Sequence, residues 1–441
     1  MMLKPENVVP EDKLLTIEQL KKLHDKAYNS SQQPREEAAN DLAFYWVTQW
    51  DDGLLGDSSL AYKGQFDILR KAGRQIMADL QENPVQVDFD PKDETRSDAG
   101  ELMDGVYRSD DRYNYSIESY SVGAEEAVVC GFGAWELYND YVSDRAGNDY
   151  QMIKRSPIYE ANNLVMWDPN GKLKDKSDAD YVSVLTSFSE EGYRELIEDM
   201  TGEDPGPLSD FKQPETSYSF PWFSSDKKVY LTHFYQRVMV KEKAITLTSP
   251  ITPDETITVS EHQLTDVMDE LIDAGYEVAG EREFCRYRVL KYIADGECIR
   301  KIEVVPGEHI PVVPVYGERY VVESVEGWEG ITRLAKDPQR LRNFQLSYLA
   351  DIVSRSPRPK PIFYSEQLDG FRDMYEEAGA DNNLPYLLIN RMTADGMQEL
   401  PGGPSGVMPE QQIPQALIAS IGLSREAVED VANPGLPQDI A

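Results

Sequence analysis

The sequence has few cysteines, no long apolar run and a shortage of positive charge. Three cysteines, Cys130, Cys285 and Cys298, lie far apart in 441 residues without a Cys-x-x-Cys pair. This favours buried, reduced thiols over disulfide or metal chemistry. No uncharged apolar stretch reaches about 18 residues, and the N-terminus lacks the apolar run of a signal peptide. We therefore expect no membrane span and synthesis in the cytoplasm.

Positive charge is the second shortage. The chain has 44 Lys and Arg against 79 Asp and Glu, which gives a formal net charge of -35. Such a surface repels phosphate at long range and does not grip nucleic acid by counterion release. The charge argues against a protein that reads DNA sequence. It is compatible with a conduit that must let a duplex slide.

The motifs of several enzyme classes are absent. No Gly-x-x-x-x-Gly-Lys-Ser/Thr loop and no Gly-x-Ser-x-Gly elbow occur, and the four histidines are isolated. Gly131-Phe132-Gly133 is interpreted as a helix terminator, and Asp168-Pro169-Asn170-Gly171 as a tight hairpin turn rather than a calcium loop. We expect no catalytic residue, metal or cofactor. A carboxylate-based hydrolase remains an alternative because acidic residues are abundant, although no Asp/Glu pair stands out.

Helical patterns come first and strand patterns follow, which predicts an α+β fold. Residues 1–33 are interpreted as a loosely attached arm with a helix at Thr16–Tyr28. The predicted helices begin at Pro34, near Phe66, at Ser97 (running to Val129) and near Glu261 (to Ala274). The predicted strands are Trp135–Tyr141, Asn163–Trp167, Tyr181–Thr186, Val229–Lys241, Thr256–Val259, Phe284–Tyr292 and Ile299–Val305.

The last third has a different organisation. Asp337-Pro338 predicts an N-cap followed by proline in the first turn of a helix that runs to about Ser354 and is ended by alternating prolines. A small α/β segment follows, with strands at Pro361–Tyr364 and Leu384–Arg391 around a helix at Glu366–Glu377. A second helix follows Ile413-Pro414. Two helical rods therefore bracket a small insert.

One segment is basic against the acidic background. Between Arg333 and Lys360 there are seven basic and two acidic residues. At 100° per residue, Arg333, Lys336 and Arg340 fall within an arc of about 60° on one helix. With Arg342 they form a candidate strip that faces phosphate. The alternative is a solvated face, or charge pairing with an acidic neighbouring subunit.

Five groups of residues, taken in order, resemble the portal (head-to-tail connector) proteins of short-tailed phages of the Salmonella podovirus type. The similarity covers roughly residues 34–433. It is carried by Asn40-Asp41-Leu42 with Gln49-Trp50-Asp51-Asp52, Tyr62-Lys63-Gly64-Gln65-Phe66-Asp67, Val165-Met166-Trp167-Asp168 with Lys174–Ala179, Gly307–Val315, and Arg333–Asn343 leading to Ala350–Val353. No group is a chemical motif by itself, but their order is specific.

The resemblance implies a portal-type fold with an α/β wing and two stem helices that bracket a small α/β clip. The implied parts are an N-terminal arm at 1–33, the wing at 34–325, the first stem helix at 328–355, the clip at 357–409 and the second stem helix at 410–432. Residues 433–441 would be a truncated start of the channel and crown region. Relatives of this type continue further, so we expect the chain to be a fragment or shortened product.

The resemblance also implies a function and partners. The chain would form a dodecameric ring at the portal vertex of the virion, assembled in the host cytoplasm around a channel for double-stranded DNA. The packaging ATPase (terminase) and later a tail adaptor would dock at the clip, and coat and scaffolding proteins would surround the wing. The candidate clip docking surface is Arg355, Arg358, Lys360 and Arg391. Another virion adaptor protein is the remaining alternative.

Overall fold

The computed structural model describes residues 9–50, 60, 62–83, 87–90, 97–142, 151–202, 228–248, 256–260, 277–323, 325–355, 361–380, 387–393, 396–400, 402–407 and 414–432. Within these ranges, no helix is both long and apolar enough to cross a membrane. The chain divides into two compact units. Unit 1 comprises residues 1–48 and 69–334, and unit 2 comprises residues 49–68 and 335–441. Helices and antiparallel sheets occur together, so the predicted α+β class is confirmed.

Two consecutive helices open unit 1: α1 (Ile17–Ser30) and α2 (Gln32–Trp46). Thr16 caps α1, because its side chain accepts a hydrogen bond from the amide of Gln19 while the Gln19 side chain accepts one from the amide of Thr16. This capping box satisfies two amides that a helix start otherwise leaves unpaired. Pro34 lies in the first turn of α2, as predicted.

The prediction of a loosely attached arm is wrong for α1. Leu20, His24 and Ala27 lie on one face of the helix and are fully buried. Leu20 and Ala27 belong to the same apolar cluster as Phe234, and Nδ1 of His24 lies 2.8 Å from the hydroxyl of Ser183. The i, i+4, i+7 spacing of these residues gives the helix a face to bury, so it is part of the core of unit 1.

The predicted long helix from Ser97 to Val129 is two helices, α4 (Ser97–Tyr113) and α5 (Ser116–Cys130); α3 (Leu69–Glu82) precedes them. Tyr115 has φ of 50°, in the left-handed region, and this breaks the helix. The helical periodicity of the residues around Tyr115 alone gave no sign of this break. Gly131 ends α5 with φ of 95°, which confirms its role as a helix terminator.

The larger sheet of unit 1 has six strands in the order β3-β4-β5-β7-β8, with β6 paired to β5. Its strands are β3 (Val165–Trp167), β4 (Tyr181–Ser189), β5 (Lys228–Thr248), β6 (Thr256–Ser260), β7 (Glu277–Ala294) and β8 (Ile299–Val305). β5 continues seven residues beyond its predicted end at Lys241. Lys241 and Lys243 are exposed while Glu242 and Ile245 are buried, so charged residues occupy the outward positions of a continuing strand.

The smaller sheet has the order β2-β1-β9, and a separate hairpin pairs β10 with β11. Its strands are β1 (Phe132–Tyr141), β2 (Gln151–Ile158) and β9 (Val312–Tyr316); the hairpin contains β10 (Glu318–Val322) and β11 (Val325–Glu329). Helix α5 packs closely on β1. A Cβ atom on Gly133 would lie 2.9 Å from the Cα of Gly123, and one on Gly123 would lie 2.9 Å from the indole of Trp135. Glycine is required at both positions.

Apolar clusters form the core of unit 1, and three of them lie in the described residues. The first surrounds Phe234 and Tyr292, the second surrounds Phe132, Tyr235 and Trp328, and the third contains Tyr193 and Ile197. The last two residues belong to α7 (Glu190–Thr201), a helix that was not predicted; α6 (Ala161–Leu164) is a single turn. The predicted helix at Glu261–Ala274 lies outside the described residues.

The loop after β3 and the cysteines correct two smaller predictions. Asp168 does begin a turn, but β3 and β4 are joined by residues 168–180 rather than by a tight hairpin. None of the three cysteines forms a disulfide bond. Cys130 is buried as expected, whereas Cys285 is exposed and Cys298 half-buried. Cys285 lies on the outward face of β7, opposite Lys241.

Unit 2 is built mainly on two helices. They are α8 (Ile331–Arg355), which begins in the last residues of unit 1, and α10 (Gln415–Ala432); between them lie α9 (Arg372–Ala380) and a pair of two-residue strands, β12 (Pro361–Ile362) and β13 (Gly406–Val407). Two predictions between the helices are wrong: residues 387–391 form no strand, and α9 begins later than Glu366. β13 supplies the missing partner of β12.

Candidate functional site

The candidate strip lies on α8, which is longer than predicted. Asp337-Pro338 is not its start: the helix begins at Ile331 and Pro338 lies inside it. A proline in this position leaves the carbonyl of Leu334 without its usual amide partner. The helix nevertheless continues through Pro338, so the whole strip stands on one helix.

Arg333 is committed to contacts inside unit 1. Its guanidinium donates to the carboxylate of Asp41 at 2.7 Å and also to that of Glu37, both on α2. Burial alone would lower the pKa of Arg333, but the hydrogen bond to Asp41 and the two negative charges raise it above its usual value. The Asp41 side chain is fully buried, so Arg333 neutralises a charge that water does not reach.

Lys336, Arg340 and Arg342 are all half-buried. Arg340 and Arg342 have different charged neighbours. Arg340 pairs with the exposed carboxylate of Asp337, three residues earlier, at 3.2 Å. Burial lowers the pKa of Arg342, and the positive charge of Arg425 on α10 lowers it further, against the opposing charge of Glu429.

The predicted strip is therefore not a uniform cationic face. Arg333 holds two carboxylates of unit 1, Arg340 pairs along its own helix, and Arg342 faces α10. Arg340 and Arg342 are also about 200° apart around the helix.

The candidate clip surface is described at one position. Arg358 and Lys360 lie outside the described residues, as does the side chain of Arg355. The Arg391 side chain is 82% exposed, and its guanidinium lies 3.4 Å from the carboxylate of Glu399. An exposed pair of this kind contributes little to stability, which leaves Arg391 available to a partner.

A polar face of α8 was missed in the sequence. Gln339, Asn343 and Ser347 recur every four residues and are fully buried, although amide and hydroxyl side chains usually mark the outside of a helix. Their hydrogen-bond partners lie in residues 49–68 of the same unit. The i, i+4, i+8 spacing of short polar residues was a signal that could have been read as a buried polar stripe.

A second polar contact joins α8 to α10. The amide of Gln345 donates to the hydroxyl of Ser420 at 2.5 Å and accepts from that of Ser424 at 3.0 Å. Because the two serines are four residues apart, they lie on one face of α10. A single glutamine therefore sets how these two helices face each other.

A small cavity in unit 1 tests the hydrolase alternative. It has a volume of about 120 Å³, and its wall includes aromatic side chains together with Asp168 and Glu326. The Asp168 carboxylate accepts from the amides of Asn170 and Asp180, and that of Glu326 accepts from Arg319 and Lys176. Both carboxylates are therefore engaged in hydrogen bonds or ion pairs within unit 1.

Within the described part of the chain, no group of three or more His, Cys, Asp or Glu residues could hold a metal ion.

Comparison with known proteins gives two findings. The model of a family described as phage P22-like portal protein matches residues 21–436. A protein named portal protein, from Acyrthosiphon pisum secondary endosymbiont phage 1, is 29% identical over 427 residues. That similarity covers 94% of this chain and 58% of the relative, so the chain spans less than two thirds of the relative's length.

Proposed function

Because the chain belongs to the phage P22-like portal protein family, we propose that it is a subunit of a ring through which double-stranded DNA enters and leaves a phage head. The observation that carries this proposal is the family match, which extends from α1 to a few residues beyond α10. It includes both helices of unit 2 and nearly all of unit 1. The proposed role is structural, with the chemical work of packaging done by a partner.

The parts of the ring subunit follow from this assignment. We assign residues 34–325 to the wing, 328–355 to the first stem helix, 357–409 to the clip and 410–432 to the second stem helix. The bounds of α8 (Ile331–Arg355) and α10 (Gln415–Ala432) support the two stem assignments. The small β12–β13 pair and α9 between them support an α/β clip. The buried face of α1 supports including residues 17–33 with the wing.

The proposed partners follow from the place of such a ring at the head vertex. The packaging ATPase and then a tail adaptor would dock at the clip, and coat and scaffolding proteins would contact the wing. With a formal net charge of -35, the subunit would offer few strong phosphate contacts to a duplex that carries one charge per ~1.7 Å. This charge supports a channel along which DNA slides.

Particle mass and shape test the ring directly. Mass photometry and negative-stain imaging of the purified 50.0 kDa chain should give cyclic particles whose mass is a multiple of the subunit mass. A closed ring has one mass over a wide concentration range, whereas non-specific association grows with concentration. A chain that stays a monomer at the highest attainable concentration, even with the further C-terminal part of its longer relatives added, would contradict the proposal.

The candidate strip remains a proposal and needs a test that spares Arg333. Replacing Lys336 and Arg340 together by Gln should shorten or destabilise the packaged genome, because both side chains would meet passing phosphates. Arg108→Gln is the control for loss of an exposed cation, since Arg108 lies on α4 in unit 1, outside the strip and the clip. Genome length from purified particles is the measurement, and unchanged length in the double variant would remove the strip from the DNA path.

The clip surface is tested by binding. Arg358, Lys360 and Arg391, with Arg355, would recognise acidic groups of the motor or adaptor. Replacing Arg391 by Glu should weaken the affinity for the packaging ATPase or the adaptor by about tenfold or more, because a favourable charge pair becomes a repulsive one. Equal affinity for the variant would indicate a surface without a docking role.

A further inference from the structure

An extended segment of residues 62–68, here called the strap, lies along the buried polar face of α8. Three backbone amides of the strap donate to three side chains of the helix. These bonds join Gly64 to Ser347 Oγ at 3.0 Å, Phe66 to Asn343 Oδ1 at 2.9 Å, and Ile68 to Gln339 Oε1 at 3.5 Å. The strap and the helix run in opposite directions, because rising strap numbers meet falling helix numbers.

The spacing of the two partners explains why the bonds form a ladder. Four residues of an α-helix rise about 6.0 Å, and two residues of extended chain rise about 6.6–6.8 Å. Polar side chains at i, i+4 and i+8 therefore stay in step with every second amide of an extended strand. In this way the helix recognises the strap backbone rather than its side chains.

The residues just after α2, Gln49 and Trp50, also bind to this polar face and to the strap. Oε1 of Gln49 accepts from Nδ2 of Asn343 at 2.7 Å and from Nε2 of Gln339 at 3.1 Å. The indole of Trp50 donates to the carbonyl of Gly64 at 3.1 Å. Gln49 and the strap are thus tied to one polar face.

Little apolar burial supports the strap. Of its residues, only Gly64 is fully buried; Tyr62 is 54% exposed, and Phe66 and Ile68 are half-buried. A single hydrogen bond contributes less net stability than a fully buried large apolar side chain. The strap is therefore held by bonds that can break and re-form without disturbing a packed core.

We propose that the strap is a conformational latch, which opens from α8 and closes again while the rest of the chain stays folded. When closed, it covers Gln339, Asn343 and Ser347. When open, it exposes a row of amide and hydroxyl groups on α8 and frees residues 62–68, which directly precede α3. This inference is independent of the proposed function.

Hydrogen exchange of the full chain in its native assembly, with low urea concentrations, tests the latch. Amides of a peptide covering 62–68 should exchange at least about a hundredfold faster than those of β5 around Phe234, and with little dependence on urea, as local opening exposes little surface. Exchange of the strap at the β5 rate and with the β5 urea dependence would overturn the proposal.

A matched pair of variants tests whether the ladder of hydrogen bonds holds the strap on α8. Ser347→Ala removes the partner of the Gly64 amide and should raise strap exchange by about tenfold. Ser420→Ala makes the same chemical change and removes a different α8 contact, to Gln345, so strap exchange should not change. Equal effects of the two variants, or no effect of Ser347→Ala, would show that the ladder does not hold the strap.

Discussion

The two units bury different kinds of side chain. Unit 1 buries large apolar residues; its fully buried ones include Tyr193, Tyr235, Tyr292, Phe132, Phe234, Leu20, Leu69, Met166, Ile197, Leu231 and Leu247. Among the described residues of unit 2, the buried apolar residues are Ala335, Ile352 and Val428. The buried polar ones there are Gln49, Gln339, Asn343, Gln345, Ser347, Asp351, Gln367 and Ser424.

The two kinds of buried side chain have different effects: apolar ones stabilise a fold, and polar ones fix the positions of its elements. Apolar burial is non-directional and supplies most of the free energy of folding, so unit 1 has the means to fold by itself. Hydrogen bonds are directional and contribute about 1 kcal/mol each. The buried polar contacts of unit 2 therefore fix the relative positions of its elements but add little to its free energy of unfolding. If the proposed ring forms, contacts with neighbouring subunits would add to the stability of unit 2.

The largest expected effect is in the core of unit 1. Phe234→Ala should lower the free energy of unfolding by about 3–5 kcal/mol, because it empties a site between Tyr181 and Tyr292. Urea unfolding followed by tryptophan fluorescence measures it. Met239→Ala on the exposed side of the same strand is the control and should cost little. A loss below about 1 kcal/mol for Phe234→Ala would contradict the assignment of the core.

A buried ion pair in unit 1 should come next. Arg333→Met removes the ion-pair partner at 2.7 Å from the buried Asp41 carboxylate and should cost about 3 kcal/mol, because a buried charge loses the cation that lies against it. Arg391→Met, which breaks an exposed pair, should change stability by less than about 1 kcal/mol. The same unfolding measurement applies. Similar small losses for both would mean that Asp41 is better solvated than its burial indicates.

A polar contact in unit 2 should have a smaller effect. Gln345→Leu should cost about 1–2 kcal/mol, because Ser420 loses its partner while Ser424 keeps the carbonyl of Ile421. Hydrogen exchange of α10 measures the loss, and Leu341→Ala at an exposed position of α8 is the control. A loss as large as that of Phe234→Ala would end the distinction between the two units.

The last expected effect is a dependence of the stability of unit 1 on pH. Burial raises the pKa of Glu126 to about 7, although the amides of Ala161 and Glu160 that donate to its carboxylate lower it. The folded state therefore binds the proton more tightly than the unfolded chain, whose value is near 4.5. The stability from this group is complete below pH 4.5 and is lost as the pH rises through about 7.

The variant Glu126→Gln isolates this contribution. Its side-chain carbonyl still accepts a hydrogen bond but carries no titrating charge. The difference in unfolding free energy between the natural chain and the variant should fall steadily between about pH 5 and pH 7, by roughly 1 kcal/mol per pH unit. A difference that is constant with pH would mean that the Glu126 pKa is not raised.

Local signals predicted much of unit 1. The bounds of β8 (Ile299–Val305) were predicted correctly, because β-branched residues follow a turn in which Gly296 takes φ of 87°. Thr16 and Gly131 marked helix ends through capping chemistry that involves neighbours a few residues away. The break at Tyr115 has no such marker, since the surrounding residues keep helical periodicity.

The candidate site was harder to predict because its contacts are distant in sequence. Arg333 meets Asp41 across 292 positions and Ser347 meets Gly64 across 283. A helical wheel places Arg333 beside Arg340, but only the fold shows that one neutralises a buried carboxylate and the other pairs along its helix. Pro338 also misled the prediction of the helix start, because the helix continues through it.

The close approach of Gly123 to Gly133 has a consequence for motion. Helix α5 and strand β1 meet without any side chain between their backbones at this point. Sliding either element by one residue would bring a Cβ into the opposing backbone, so the contact has a single permitted register. The contact therefore holds α5 and β1 in one position relative to each other within unit 1, and the two elements are expected to move together.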